Sequence, residues 1–350
     1  MKPYNELSPR GRVLRLRQAA RTALDAYGLS DAPIRFNHDT GNASFRVTLP
    51  NSGSRTASDD LFVDRQLLLR LNQPGYQSTA LIESELAWLE ALRADAAMPV
   101  PQPVRALDGS LVVEVPVPGS GQSRQCSLLR WVRGRMQEER IGPAQLRATG
   151  RIMARLHSHA SRWDPPPGFC RWRYDWDGFL GDANPTGTSS KEACRHIVPL
   201  LRPLYDETAA ELKDVMADLG TESGAFGLVH ADIAFGDNIL FWRGEARPID
   251  FGDCAFAHWM YDIGVALSSV RRRDDWPALR DSFLEGYREV RNLPEVQWQH
   301  LDLFVAAWHA YEILWAGAMI EQHPQNTAGN LSWMKQAGES LRAVRAQPRG

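Results

Sequence analysis

The stretch His230-Ala231-Asp232-Ile233-Ala234-Phe235-Gly236-Asp237-Asn238-Ile239-Leu240, followed by Ile249-Asp250-Phe251-Gly252-Asp253, decides how the chain is read. It runs strand, polar loop, hairpin and then an acid. If Ile239–Trp242 and Ala246–Ile249 pair across Arg243-Gly244-Glu245, residue 242 faces 246 and Asn238 faces Asp250. Directly opposed residues have Cβ atoms ~5 Å apart. Two oxygen ligands at that separation suit a hard cation such as Mg²⁺, which takes few protein ligands and keeps its other positions for phosphate and water. Asp232, on the loop entering the hairpin, is placed to accept a proton from an attacking hydroxyl. Asp253 either adds a ligand or caps a helix starting near His258, and the cap is the preferred reading.

Working outward, strands dominate the first part of the chain and helices the rest. Residues 12–27 repeat apolar positions at helical spacing up to Gly28. Ile34–Asp39 and Phe45–Leu49 read as strands around Thr40-Gly41-Asn42, the polar run Pro50–Asp60 as a loop, and Leu67–Leu71 as a buried strand. Thr79–Arg93 reads as a helix, and Ser110–Val115 and Cys126–Val132 as strands. Pro143–Trp163 and 203–219 are helical, short strands follow at Leu228–Val229 and in the hairpin, and the remainder is helical. A junction is expected at Arg133-Gly134, giving residues 1–133 and 134–350 as two domains.

These motifs resemble a known family. H-x-D…N followed by D-F-G is similar to the catalytic and metal motifs of the protein-kinase-like fold. His230-Ala231-Asp232 and Tyr261-Asp262-Ile263-Gly264 point to the aminoglycoside phosphotransferase and choline kinase family. Leu69-Arg70-Leu71, Ser84-Glu85-Leu86, Leu129-Arg130-Trp131-Val132 and Ala154-Arg155-Leu156-His157 extend the resemblance over most of the chain. It is nearest to the stress-response kinase and type II homoserine-kinase-like branch. The implied fold is α+β and bilobal, with an antiparallel-sheet N-lobe that binds nucleotide and a mainly helical C-lobe for catalysis and substrate. The implied cofactors are ATP and Mg²⁺. By the same resemblance Asp232 is the catalytic base, His230 structures its loop, Asn238 and Asp250 bind metal, and Asp262 holds the catalytic loop from inside. The family places its Asn five residues after the base, where this chain has Asp237. Asn238 fits the strand that follows it, and Asp237 stays open as the alternative ligand.

The family relies on a strand lysine beside a helix glutamate. This chain has 36 Arg but only four Lys, and none between positions 3 and 190. Arg70 is the substitute. Ile82, Glu85, Leu86 and Leu89 share one helix face, so Glu85 is an acid on an apolar stripe and needs a partner. Arg70 is that partner, either as a phosphate contact or as a purely structural ion pair. The turn carrying Gly41, Asn42 and Ser44 is expected to cover the phosphates, or to be an ordinary hairpin. Arg130 and Val132 are expected to bound the hinge that meets adenine.

The near-neutral charge of −2 argues against nucleic acid as a partner. The four cysteines form no C-x-x-C pair, and the N-terminus shows no signal peptide. Leu301–Ile320 carries Asp302, His309 and Glu312 and reads as a buried helix rather than a membrane span. A cytoplasmic protein without membrane partners is expected, with monomer and homodimer both open. Trp163, Trp172, Tyr174 and Trp176 are read as packing aromatics rather than an ammonium cage. Glu207, Glu211, Asp214 and Asp218 are read as a solvated helix face, and Arg271-Arg272-Arg273 as exposed. The acceptor is a small-molecule hydroxyl or, alternatively, a protein Ser/Thr of the stress-response type. A non-catalytic nucleotide-binding module is the remaining alternative.

Overall fold

The computed structural model describes residues 4–50, 60–137 and 141–346. The expected loop Pro50–Asp60 lies mostly outside them. The chain divides into two compact units, Met1–Gly134 with Pro165–Cys170, and Arg135–Asp164 with Arg171–Gly350. Assignment of 165–170 to the second part was incorrect. The Cys170 N–H donates to Ser84 Oγ at 2.9 Å, which ties this stretch to the first unit.

The first unit opens with α1 (Pro9–Ala26), whose first turn is capped by Ser8 Oγ, accepting from the Gly11 N–H at 3.2 Å, with Pro9 at N1. Its buried face, Leu16, Ala19, Ala20, Ala23 and Leu24, has the spacing of an amphipathic helix. The strands are β1 (Ile34–Thr40), β2 (Asn42–Thr48), β3 (Phe62–Leu71), β4 (Pro103–Val104), β5 (Val113–Pro116) and β6 (Ser123–Val132). They form one antiparallel sheet in the order β1-β2-β3-β6-β4, with β5 also on β6. Phe45, Val47, Leu69, Leu71 and Leu128 pack with α1 in its core. β3 starts earlier than expected. Its first half carries Asp64 and Gln66 and an irregular register at Arg65, where φ is 61°, so it does not read as a buried strand. Helix α2 (Thr79–Ala96) follows, capped by Ser78.

The second unit contains α3 (Pro143–Ala160), β7 (Trp172–Tyr174), α4 (Trp176–Phe179), α5 (Ser190–Cys194), α6 (Arg202–Leu219), β8 (Phe226–Val229), β9 (Ile239–Trp242), β10 (Glu245–Pro248) and β11 (Ala255–His258). Five helices complete it: α7 (Trp259–Ser268), α8 (Trp276–Arg288), α9 (Glu295–Trp298), α10 (Leu301–Gln322) and α11 (Thr327–Arg345). A three-stranded sheet, β7-β11-β8, is absent from the sequence reading, because segments of three or four residues show no usable periodicity. Helices α3 and α8 touch backbone to backbone. A Cβ on Gly150 would lie 2.1 Å from Phe283 O, and one on Gly286 2.0 Å from Arg147 O. Helix α10 is long and apolar enough to cross a membrane, but 72% of its apolar window is buried inside the protein.

Two readings change. Arg271 is only 4% exposed, with its guanidinium 4.6 Å from the Trp276 ring and 3.4 Å from Asp302. The α6 face keeps Glu207, Asp214 and Asp218 exposed as expected, with Glu207 and Glu211 pairing with Arg345 at 3.3 and 2.7 Å. His258 occupies the N-cap position of the helix after β11, without a side-chain capping bond, and Asp253 ends a short 3-10 turn ahead of β11; Asp253 is therefore not its cap. Tyr174 packs as an aromatic, against Phe179, Tyr261 and Tyr311.

Candidate active site

In the second unit, the loop 230–238 is built on a backbone strained at one point. Ala231 has φ 69°, in the left-handed region, which a non-glycine residue occupies only when held there. Asp262, fully buried on α7, does the holding: its Oδ1 accepts the Ala231 N–H at 2.8 Å. Asp262 Oδ2 lies 2.9 Å from His157 Nε2, and His157 Nδ1 lies 2.8 Å from the Tyr287 hydroxyl. Burial pushes the pKa of His157 down, so the neutral ring donates from Nε2 to the carboxylate and accepts from Tyr287. His230 is fixed by the same logic. Its Nδ1 accepts the Asp232 N–H (3.3 Å), so its Nε2–H donates to Ile249 O (3.0 Å).

The hairpin register differs from the sequence expectation by one residue. Glu245 faces Trp242 and Pro248 faces Ile239. The connection is the two-residue turn Arg243-Gly244, both at positive φ (49° and 81°), the type I′ geometry that matches strand twist. Asn238 therefore faces Ile249, whose N–H its carbonyl accepts at 2.9 Å, and Asp250 comes one residue later, past the end of β10. The amide of Asn238 does reach the loop acid: Nδ2 donates to Asp232 O at 2.9 Å and to Asp232 Oδ2 at 2.6 Å. Asp237 stands exposed beside it.

Four carboxylates shape the field here. Burial, then the charges of Asp253, Asp250 and Asp237, push the pKa of Asp232 well above the carboxylate range, and the Asn238 hydrogen bond opposes them. Among the described residues no group of three or more His, Cys, Asp or Glu is arranged to hold a metal ion by itself. Clustered hard oxygen ligands without a protein cage would suit Mg²⁺, which keeps positions for phosphate and water, better than a structural transition metal.

In the first unit, Arg70 on β3 and Glu85 on α2 form a bidentate pair. Nη1 donates to Oε1 at 2.9 Å and Nη2 to Oε2 at 2.6 Å, with Arg70 5% and Glu85 1% exposed. Ser44 on β2 is Arg70's cross-strand partner, and its Oγ accepts from Asn37 Nδ2 at 3.1 Å. The β1–β2 turn is a single Gly41 at φ 107°. Asn42 Oδ1 accepts the Gln73 N–H (2.9 Å), which ties the turn to the end of β3. On β6, the Arg130 N–H donates to Gln102 O (2.9 Å), and its guanidinium lies 3.9 Å from the Phe62 ring centroid. Its carbonyl and the N–H of Val132 point to the same strand edge, because alternate residues of a strand share an edge.

Sequence reasoning missed Arg171, a buried side chain that donates to the carbonyls of Gly252 and Cys254. No motif marks it. Tyr287, at the end of the Asp262–His157 chain, was missed for the same reason: it is remote in sequence and carries no pattern.

Known proteins share this architecture. The structure of a microcompartment-associated aminopropanol kinase superposes with a TM-score of 0.75 at 27% identity, covering 94% of this chain and 98% of that one. An amicoumacin kinase in complex with AMP-PNP and Ca²⁺ superposes with a TM-score of 0.73 at 18% identity, with 97% of each chain covered. In sequence, the homoserine kinase of Neisseria meningitidis serogroup B is 31% identical over 153 residues, 41% of this chain and 47% of that protein. An uncharacterized protein of Synechocystis sp. is 25% identical over 230 residues, 65% of this chain and 60% of that protein. The chain thus spans about half to three fifths of the curated relatives it matches. The fold is the expected α+β protein-kinase-like one. Residues 34–304 match the model of the phosphotransferase enzyme family, and the chain belongs to that family.

Proposed function

We propose that the chain is an ATP- and Mg²⁺-dependent phosphotransferase that moves a γ-phosphate to the hydroxyl of a small-molecule acceptor, with Asp232 as catalytic base. The observation that carries this reading is the state of Asp232. Its carboxyl is oriented by Asn238, and burial, followed by the charges of three neighbouring carboxylates, raises its affinity for a proton, which suits a general base. Oδ2 is engaged by the amide, so Oδ1 is the atom assigned to the acceptor hydroxyl. Asp262 and His230 keep the loop from relaxing.

Asn238 Oδ1 and Asp250 are the atoms assigned to Mg²⁺, with Asp237 the alternative to Asn238. When bound, the ion neutralises charge on the phosphate oxygens. In the first unit, Glu85 holds Arg70 in one orientation, and its guanidinium is assigned to the phosphates. Gly41, Asn42 and Ser44 cover them, and the carbonyl of Arg130 and the N–H of Val132 meet adenine. Nucleotide binding is supported by neighbours solved with AMP-PNP or ADP. A small-molecule acceptor is supported by the aminopropanol and homoserine kinases among the relatives.

The test is ADP release with Mg-ATP over a panel of hydroxyl compounds, amino alcohols and homoserine first, with a protein substrate included. Saturable ADP release with one small molecule is the expected outcome. Nucleotide binding without transfer to any compound, protein or water would leave the non-catalytic module as the correct reading.

A further inference from the structure

Asp250 stands in the left-handed region, with φ 59° and ψ 71°. A residue with a Cβ keeps that conformation only where its surroundings over-determine it. Two side chains fasten the backbone on either side. Ahead of Asp250, His230 Nε2 holds Ile249 O at 3.0 Å. Behind it, Arg171 donates from Nε to Cys254 O at 2.6 Å and from Nη2 to Gly252 O at 2.5 Å. Arg171 is 8% exposed, and its guanidinium lies 5.0 Å from the Trp172 ring centroid.

The sheet explains how it gets there. Strand β7 runs parallel to β11 with Trp172 opposite Ala255. The residue before β7 therefore stands beside Cys254, the residue before β11. A strand of three residues delivers one guanidinium to the turn that follows Asp250. Arginine suits the task because its planar fork bonds two carbonyls at once, whereas an ammonium on a flexible stem is a point donor.

We propose that Arg171 is a positioning residue for the metal carboxylate: by gripping the carbonyls of Gly252 and Cys254 it holds the Phe251–Asp253 turn, and so keeps Asp250 in its strained, ligating conformation. This rests on the reading of Asp250 as a metal ligand. His230 and Arg171 then act as paired clamps on one backbone segment.

The test uses the full chain with Mn²⁺ as probe. Mn²⁺ affinity in the presence of AMP-PNP is measured by electron paramagnetic resonance for wild type, Arg171→Met, Arg171→Lys and Asp250→Ala, beside the melting temperature and the Mg²⁺ dependence of turnover. Arg171→Met is expected to weaken Mn²⁺ binding on the order of tenfold. Turnover should recover at saturating Mg²⁺, and Arg171→Lys should regain part of the affinity. A folded Arg171→Met with wild-type Mn²⁺ affinity overturns the proposal. If Arg171→Met does not fold, Arg171→Lys decides: it keeps the charge and loses the fork, and unchanged Mn²⁺ affinity in it is the refuting result. Unchanged affinity in Asp250→Ala overturns the metal reading and the proposal with it, whereas failure at Arg171 alone overturns only the proposal.

Discussion

The two units handle clustered charge in opposite ways. In the first unit, Arg70 and Glu85 close on each other through two hydrogen bonds, and the pair is electrically neutral. In the second unit, Asp232, Asp237, Asp250 and Asp253 face one another closely enough for the last three to raise the pKa of the first. The two hydrogen bonds of the pair alone do not separate a phosphate contact from a structural bridge. The acid cluster holds like charges together, which destabilises the fold unless the arrangement serves a cation or a proton transfer. A cluster of like charges is thus stronger evidence of chemistry than a well-made salt bridge.

The sharpest way to break this contrast is Asp232→Ala. We expect turnover to fall by about 10²–10⁴-fold, with nucleotide affinity by calorimetry close to wild type. Unchanged turnover would refute its role as base. Next in size is the closed pair. Glu85→Ala removes the carboxylate bonded to both Nη atoms of the buried Arg70 and should cost about 3–5 kcal/mol of stability in denaturant unfolding, whereas the double variant Arg70→Met, Glu85→Leu should recover most of it. Nucleotide binding by that double variant at wild-type affinity would return the pair to a purely structural role.

Smaller effects separate the two candidate ligands. Of Asp237→Ala and Asn238→Ala, we expect only the second to raise the Mg²⁺ concentration needed for half-maximal turnover. The reverse result assigns the metal to Asp237. The smallest effect concerns stability against pH. The raised pKa of Asp232 means that the unfolded chain loses this proton first as pH rises, so ionising it in the fold lowers stability above the ordinary carboxylate range. Asp232→Asn should therefore melt higher than wild type at neutral pH, with the gain vanishing once pH falls below about 4. A melting temperature that is lower at both pH values would contradict the like-charge account.

Much of this was legible before any coordinates. Glu85 could be assigned a buried partner because it breaks an apolar stripe, and Arg70 was the cation available on the preceding strand. Asp262 was legible as the acid behind the loop through the family resemblance, and the structure places it on the Ala231 N–H. The hairpin register was not. A three-residue connection was assumed, but Arg243-Gly244 makes a two-residue turn. A slip of one residue changes which side chains face each other. Asn238 thus owes its link to the site to its amide's reach to Asp232 rather than to a place opposite Asp250.

Local spacing and residue type, then, determined most of the element order and singled out the acids, because these depend on neighbours in the chain, and the motifs' family resemblance supplied the fold class. Tertiary structure alone decided the hairpin register, the burial of Arg271, the His157–Tyr287 support behind Asp262 and the grip of Arg171 on the turn after Asp250. Each of these depends on a partner distant in sequence or on the conformation of a two-residue turn, and neither leaves a periodic trace along the chain.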